Sequence, residues 1–394
     1  MYPNLYYACK DLFGVEWKFL RFVNSFGFFV AIAFILAAIT LAAELRRKSK
    51  QGLLHPTEMQ VMVGQPAGAG ELILNFLLGF LLGFKILALF IMKNSATEDP
   101  QAFIFSTMGS WPAGIGLGLL FAVLKWREKN KRKLAKPEKR TVRIWPHDRV
   151  GEITIIALVF GLLGAKLFDI FENWNDFLKK PSSYIFSPSG LTWYGGLICA
   201  ALGIWLYGKR YKIGFWHLND AAAPALMLGY AIGRVGCQVS GDGDWGIPNT
   251  SIKPFGFLPD WMWSYTYPHN VNNEGNPIAG CVGKYCNELN PGVFPTSFYE
   301  TVACMLFFLL IWSLRKRFKV PGTLFSFYLI INGLERFFIE KIRVNNKMNI
   351  FGMHPTQAEV ISTLLVLAGI VTWVFLSRRS GIPKSGETAD KPVS

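Results

Sequence analysis

Apolar stretches of about 18 to 22 residues, the length of helix that crosses the hydrocarbon core of a bilayer, recur along this chain. They fall near 22–43, 71–92, 109–124, 152–171, 190–207, 218–238, 297–314, 322–342 and 356–377, nine candidate spans. In lipid a backbone satisfies its own hydrogen bonds only as a helix or a closed barrel, and long apolar runs without alternation read as helices. The fold class expected is therefore an all-α integral membrane protein, a polytopic helical bundle of about nine transmembrane helices with a small extracytoplasmic cap. The composition agrees, since 17% charged residues over 394 positions is low for a soluble domain of this length. The third span is short and glycine-rich (Gly114, Gly116, Gly118), and the sixth carries Asp220 and Arg234.

Lysine and arginine set the orientation. Arg46, Arg47 and Lys48 follow the first span, and the run KWREKNKRKLAKPEKRTVR follows the third; GKRYK, RKRFK and the pair Arg378 and Arg379 follow the fifth, seventh and ninth. Every odd-numbered span thus leaves into a basic segment, which puts the N-terminus outside and the C-terminus in the cytoplasm. The same placement accounts for the net charge of +15 by contact with anionic headgroups. A nucleic-acid partner is not needed and is not expected. A cleavable signal peptide fits badly, because the first apolar run is long and Asp11 and Glu16 precede it.

Residues 1–149 read as N-terminal spans with a basic cytoplasmic loop, and the two spans between about 50 and 145 read as scaffold, with Lys85 their main buried charge. Residues 150–377 read as a catalytic membrane bundle that includes the cap, 239–296. Residues 378–394 are polar and aperiodic and read as a disordered tail. In the cap, Cys281 and Cys286 lie in CVGKYC, where an oxidising compartment allows a local bridge. A zinc site there lacks ligands, His269 being the cap's nearby histidine. Cys9, Cys199, Cys237 and Cys304 fall in or near spans, as small packing residues do.

A charged group in hydrocarbon costs at least about 2.5 to 3.5 kcal/mol on insertion scales, so each one inside a span needs a partner or a purpose. Lys166 and Asp169, three apart in the fourth span, are placed either to pair with each other or to serve a function. In the eighth span, INGLERFFIEKIR sets Asn332, Arg336, Glu340 and Arg343 within one stripe about 80° wide, with Glu335 and Lys341 off it. Such a stripe faces a polar interior. A lone Arg336–Glu340 pair on a helix surface contributes only a few tenths of a kcal/mol, which makes it an expensive structural device in a membrane. Arg234 ends the sixth span at the same side, so three guanidiniums at similar depth could surround one anion, and their forks match phosphate oxygens. Glycines 229, 233, 236, 241, 243 and 246 would let a ligand approach the backbone closely, and Asp242 and Asp244 could orient the arginines or accept a proton.

Over residues 150 to 377 these pieces, in order, resemble the prolipoprotein diacylglyceryl transferases. GRVGCQVSGDGDWG is similar to the family signature, FPTSFYE to its His-Pro-Ser-Gln-x-Tyr-Glu segment, and ERFFIEKIR to its Arg-x-x-x-Glu-x-x-Arg helix; Gln357 matches a glutamine that opens the last span. The resemblance implies an inner-membrane enzyme that moves diacylglycerol from phosphatidylglycerol to the lipobox cysteine of a preprotein, forming a thioether and releasing glycerol phosphate. It implies roles in lipid binding or catalysis for Arg234, Asp242, Gly246, Arg336, Glu340 and Arg343. Tyr194, in TWYGG, stands where many members have a histidine proposed as the base. Cys237 stands for an asparagine, Asn332 for a tyrosine and Phe294 for a histidine, and Asp242 stands for a glutamate with one extra residue before Trp245.

The expected catalytic set is thus Arg234, Arg336, Asp242, Glu340 and Tyr194. Arg234, Gly246, Asn332, Arg336, Arg343 and Gln357 are expected to bind substrate. Arginine suits the stabilisation of a departing phosphate, and a carboxylate with a raised pKa, Asp242 or Glu340, suits the proton of the attacking thiol. This chemistry calls for no cofactor and no metal. Its partners are phosphatidylglycerol, a prolipoprotein signal peptide and the bilayer. A transporter of an anionic solute, or a related lipid transferase with another acceptor, would also own a polar interior. Inverted repeats, common in transporters, are not found in the sequence.

Overall fold

In the computed structural model, which describes residues 1–91, 103, 106–185, 192–345, 348–349 and 354–380, the described parts of the apolar windows are mostly helical. The long helices are α1 (Ser25–Lys50), α2 (Ala69–Leu81, continued by a π-helical segment Leu82–Leu87), α3 (Trp111–Lys131), α4 (Val150–Glu172), α5 (Trp193–Arg210), α6 (Phe215–Ser240), α7 (Thr296–Leu314), α8 (Thr323–Glu340) and α9 (Gln357–Ser380). Five of the described stretches, Ser25–Lys50, Ala69–Leu87, Pro146–Glu172, Thr296–Leu314 and Gln357–Arg379, are long and apolar enough to cross a membrane. The protein is accordingly a mostly helical membrane protein. Most of the expected tail lies outside the described residues.

The chain forms two compact units. One comprises Met1–Val15, Val23–Leu54 and Ile213–Ser394; the other comprises Glu16–Phe22 and His55–Lys212. Within the first unit α1 packs along α6, far away in sequence.

In the first unit that packing is fixed by buried charge at one end of the helices. Lys48 of α1 pairs with Asp220 of α6 at 3.3 Å, and both side chains are almost fully buried. The two Asp220 oxygens also accept the backbone N–H of Gly322 at 2.9 Å and of Phe325 at 3.0 Å. A helix leaves its first N–H groups unsatisfied, and α8 begins at a glycine that has no side chain to cap them. A carboxylate lent by another helix does so instead. Glu44, 1% exposed, pairs with Arg47 and, at 3.3 Å, with Arg315 beyond the end of α7. The apolar core between α6, α7 and α8 is built on Ala223, Met227, Ala231, Cys304, Ile311, Leu324 and Ile331.

Between α6 and α7 the cap folds over its own small core of Trp245, Tyr267 and Val293. Fully buried Asn270 donates to the carbonyls of Tyr267, Glu274 and Asn287, a loop scaffold made of side-chain hydrogen bonds. Cys281 and Cys286 form the local disulfide that their spacing allows.

In the second unit, β1 (Thr57–Val63) pairs antiparallel with β2 (Glu138–Ile144), so part of the basic segment after α3 is an exposed ribbon. Glycines of α2 and α3 bring those helices together: a Cβ on Gly79 would lie 2.5 Å from the Leu117 carbonyl and 2.9 Å from Gly118 Cα. Lys85 donates to the carbonyls of Phe103, Ser106 and Met108, which satisfies its charge locally. Lys166 and Asp169 do pair with each other, at 3.6 Å.

Candidate functional site

Helix α6 ends because Gly241 takes a left-handed conformation (φ 63°), its N–H closing on the Cys237 carbonyl. Arg234 sits two turns before that end. The chain then runs through Asp242 and Asp244 to Gly246, whose N–H donates to the Phe294 carbonyl at 2.9 Å and which bridges Arg343. The next residue, Ile247, donates to the Ile342 carbonyl. A Cβ at 246 would meet Ile342 O at 2.5 Å and Phe294 Cβ at 2.8 Å, so the crossing of three chain segments here needs glycine. The hydroxyls of Thr296 and Ser297, in the first turn of α7, donate to the Asp244 carbonyl at 2.7 and 2.8 Å. These contacts fix the loop against α7 and the end of α8.

On that frame the three arginines converge. Glu300, one turn into α7 and fully buried, receives Arg234 Nε on Oε2 at 3.0 Å, Arg336 Nη1 on Oε1 at 3.2 Å and Arg343 Nη1 on Oε2 at 3.4 Å. The Tyr230 hydroxyl donates to Oε1 at 2.9 Å. Asp244 is the second anion, one oxygen taken by Arg234 and the other by Arg343. Glu340 holds Arg336 from below at 3.0 Å and accepts from Asn345 at 2.6 Å. Three guanidiniums thus meet three carboxylates, and their charges balance. That balance lets so many ions lie out of water, since a buried ion without a partner costs several kcal/mol.

The loop carboxyls differ in ionisation. Burial pushes the Asp244 carboxyl up, but Arg234 and Arg343 outweigh it and hold the group down at about 2. Asp242 receives no arginine fork. Burial, and then the negative charge of Asp244, push its carboxyl above the ordinary range. Asp244 is held as an anion, and Asp242 gives up its proton less readily than an ordinary aspartate.

The residues expected from sequence are distributed unevenly. Arg234, Arg336, Arg343, Glu340 and Gly246 come together as described, and Asp242 stands beside them, although Asp244 is the acid that grips the arginines. Asn332 lies half-buried on α8 with no hydrogen bond to the cluster, and Gln357 opens α9 with its side chain exposed. Tyr194 opens α5 in the second unit. Glu335, off the stripe, is nonetheless buried. Thr296, Ser297 and Glu300 lie in the FPTSFYE segment, which the sequence marks by resemblance without giving any of them a role, and Tyr230 is not marked at all. The signal for Glu300 is an acid one turn inside an apolar span, at the end where the arginines cluster. Among the described residues, Cys237, Asp242 and Asp244 have donor atoms close enough to share a metal ion. Arg234 touches both Cys237 and Asp244, so a cation there would face a guanidinium.

A family model described as prolipoprotein diacylglyceryl transferase matches residues 107–375. Three curated relatives bear the name phosphatidylglycerol-prolipoprotein diacylglyceryl transferase. The one from Dehalococcoides mccartyi (strain CBDB1) is 28% identical over 289 residues, 71% of this chain and 95% of its own. That from Shouchella clausii is 28% identical over 58% of this chain and 76% of its own. That from Bacillus cereus (strain G9842) is 29% identical over 60% of this chain and 79% of its own.

Proposed function

The chain belongs to the prolipoprotein diacylglyceryl transferase family, and on that premise we propose that it transfers diacylglycerol from phosphatidylglycerol to a prolipoprotein. The acceptor is the thiol of the lipobox cysteine. The observation that carries this reading is the convergence of Arg234, Arg336 and Arg343 on the oxygens of Glu300 and Asp244. Two carboxylates held by three forks present an array of oxygens much like that of a phosphodiester, and planar guanidiniums bind both alike.

The reaction is a displacement. The thiol gives up its proton, its sulfur attacks the primary carbon of the glycerol that carries the acyl chains, and the C–O bond to phosphate breaks. Glycerol phosphate leaves with one more negative charge than the diester had. The arginines meet that charge with fixed donors, which need not reorganise as it grows. Asp242 takes the thiol proton, being free of arginine forks and made more basic by burial and by neighbouring Asp244. Glu340 holds Arg336 and is a positioning residue, as is Gly246, which sets Arg343. Asn332 and Gln357 are assigned to the approach of substrate. Neither cofactor nor metal enters this scheme.

In the membrane we place all nine helices as spans, the N-terminus outside, the cap on the outer face and the C-terminus in the cytoplasm. Phospholipid headgroups then lie at the depth of the arginines. The membrane is the bacterial inner membrane, where preproteins emerge. Phosphatidylglycerol labelled in its acyl chains, incubated with the full chain in vesicles and a lipobox peptide, should yield a labelled thioether peptide. Uptake of label without that product would mean transport and would overturn the assignment.

A further inference from the structure

Glu335 lies beside the arginine cluster without belonging to it. It sits on α8 immediately before Arg336, is 8% exposed, and neither carboxylate oxygen makes a hydrogen bond. The ionisable groups around it come from three helices: Tyr230 and Arg234 on α6, Glu300 and Cys304 on α7, Tyr328 and Arg336 on α8. Both arginines are already engaged, Arg234 by Glu300 and Asp244, Arg336 by Glu300 and Glu340. The remaining neighbours are neutral or negative. Tyr230, whose hydroxyl is given to Glu300, is the bridge between the two carboxyls.

Charge counting then distinguishes two states. Arg234, Arg336 and Arg343 are balanced by Glu300, Asp244 and Glu340, so an ionised Glu335 would leave one uncompensated buried anion next to the place where a phosphodiester must bind. A protonated Glu335 leaves the cluster neutral and offers its hydroxyl to Tyr230. We propose that Glu335 is a positioning residue that works as a neutral carboxylic acid: it keeps Tyr230 turned to Glu300 and keeps a surplus negative charge out of the phosphate site. The inference rests on the transferase reading above. It involves no transfer of the Glu335 proton to substrate, and Glu335 touches no reacting atom.

The test uses the full chain in nanodiscs, with phosphatidylglycerol varied in neutral lipid and a lipobox peptide as acceptor. Wild type yielding no thioether product would refute the transferase reading itself. Given product, the KM for phosphatidylglycerol in wild type should rise toward alkaline pH by about tenfold or more, the effect of one uncompensated charge within about 12 Å at an effective dielectric near 20. Glu335→Gln, neutral at every pH, should remove that rise and leave a flat profile. Glu335→Leu should raise KM about two- to tenfold at neutral pH by freeing Tyr230, with kcat much less affected, and Glu335→Gln should restore it. The proposal is overturned if the alkaline rise persists in Glu335→Gln, or if that variant loses as much as Glu335→Leu. Should Glu335→Leu fail to fold, the comparison of Glu335→Gln with wild type decides alone.

Discussion

Replacing Arg234 by lysine keeps the positive charge and discards the fork, which separates the two things the residue could contribute. In the structure Nε is committed to Glu300 at 3.0 Å and Nη1 to Asp244, two anions carried by different segments. An ammonium on a flexible stem reaches one of them at a time. The loss is therefore one charge-assisted hydrogen bond, about 1.5 to 3 kcal/mol for a group this well buried. The same holds when a phosphodiester takes the place of a carboxylate, because its oxygens also need two donors from one side chain. At about 1.4 kcal/mol per tenfold, kcat/KM should fall about 10- to 160-fold. Lysine and arginine have similar helix propensities, so α6 itself should be undisturbed. The assay is initial-rate transfer of labelled diacylglycerol to a lipobox peptide over a range of phosphatidylglycerol mole fractions. Turnover within about twofold of wild type, in protein of normal yield, would show that charge alone suffices and would refute the bidentate argument.

Two further substitutions examine the loop. Asp242→Asn removes the proposed base and should lower kcat about a hundredfold or more with KM nearly unchanged, read in the same assay. In the wild type this base must be ionised to act, and burial with the neighbouring Asp244 raises its carboxyl; activity should therefore fall with decreasing pH, starting above the range of an ordinary aspartate, and a midpoint at the ordinary value would count against Asp242. Gly246→Ala forces a methyl to within 2.5 Å of the Ile342 carbonyl, so the bridge to Arg343 must shift. Overpacking of about 1 to 3 kcal/mol is expected, and KM should rise more than kcat falls.

The helices and the cationic trio are readable in the sequence because both depend on local rules. Hydrophobic length gives the spans, and a 100° rotation per residue puts Arg336, Glu340 and Arg343 on one stripe. Arg234 joins them because alternating spans bring the ends of the sixth and eighth to one side. What escapes the sequence depends on contacts distant along the chain. Nothing local to Lys48 says that it will meet Asp220, or that α1 will lie along α6. Apolar helices share many compatible faces, and lipid offers no hydrophobic preference among them.

The acids show the same limit more sharply. Asp242 and Asp244 are two apart in a loop where Gly241 and Gly243 both have positive φ, so which side chain turns inward is decided by backbone angles that the residue types only permit. Thr296 and Ser297 settle it by binding the Asp244 carbonyl. Glu335 lies off the polar stripe, yet α8 packs against α6, α7 and α9, so leaving the stripe leads into a second buried face and not to lipid. Glu300 lies in the FPTSFYE motif, but its role is the hardest to foresee, since its span shows one acid and no cation. Its necessity follows only from the assembled cluster: with Asp244 and Glu340 alone, three buried guanidiniums would carry a net charge of one, and the fully enclosed carboxylate of Glu300 supplies the balance. A membrane site for anions built from arginines must therefore carry its own anions while empty, and on the proposed reading those carboxylates stand where a substrate phosphate would be received.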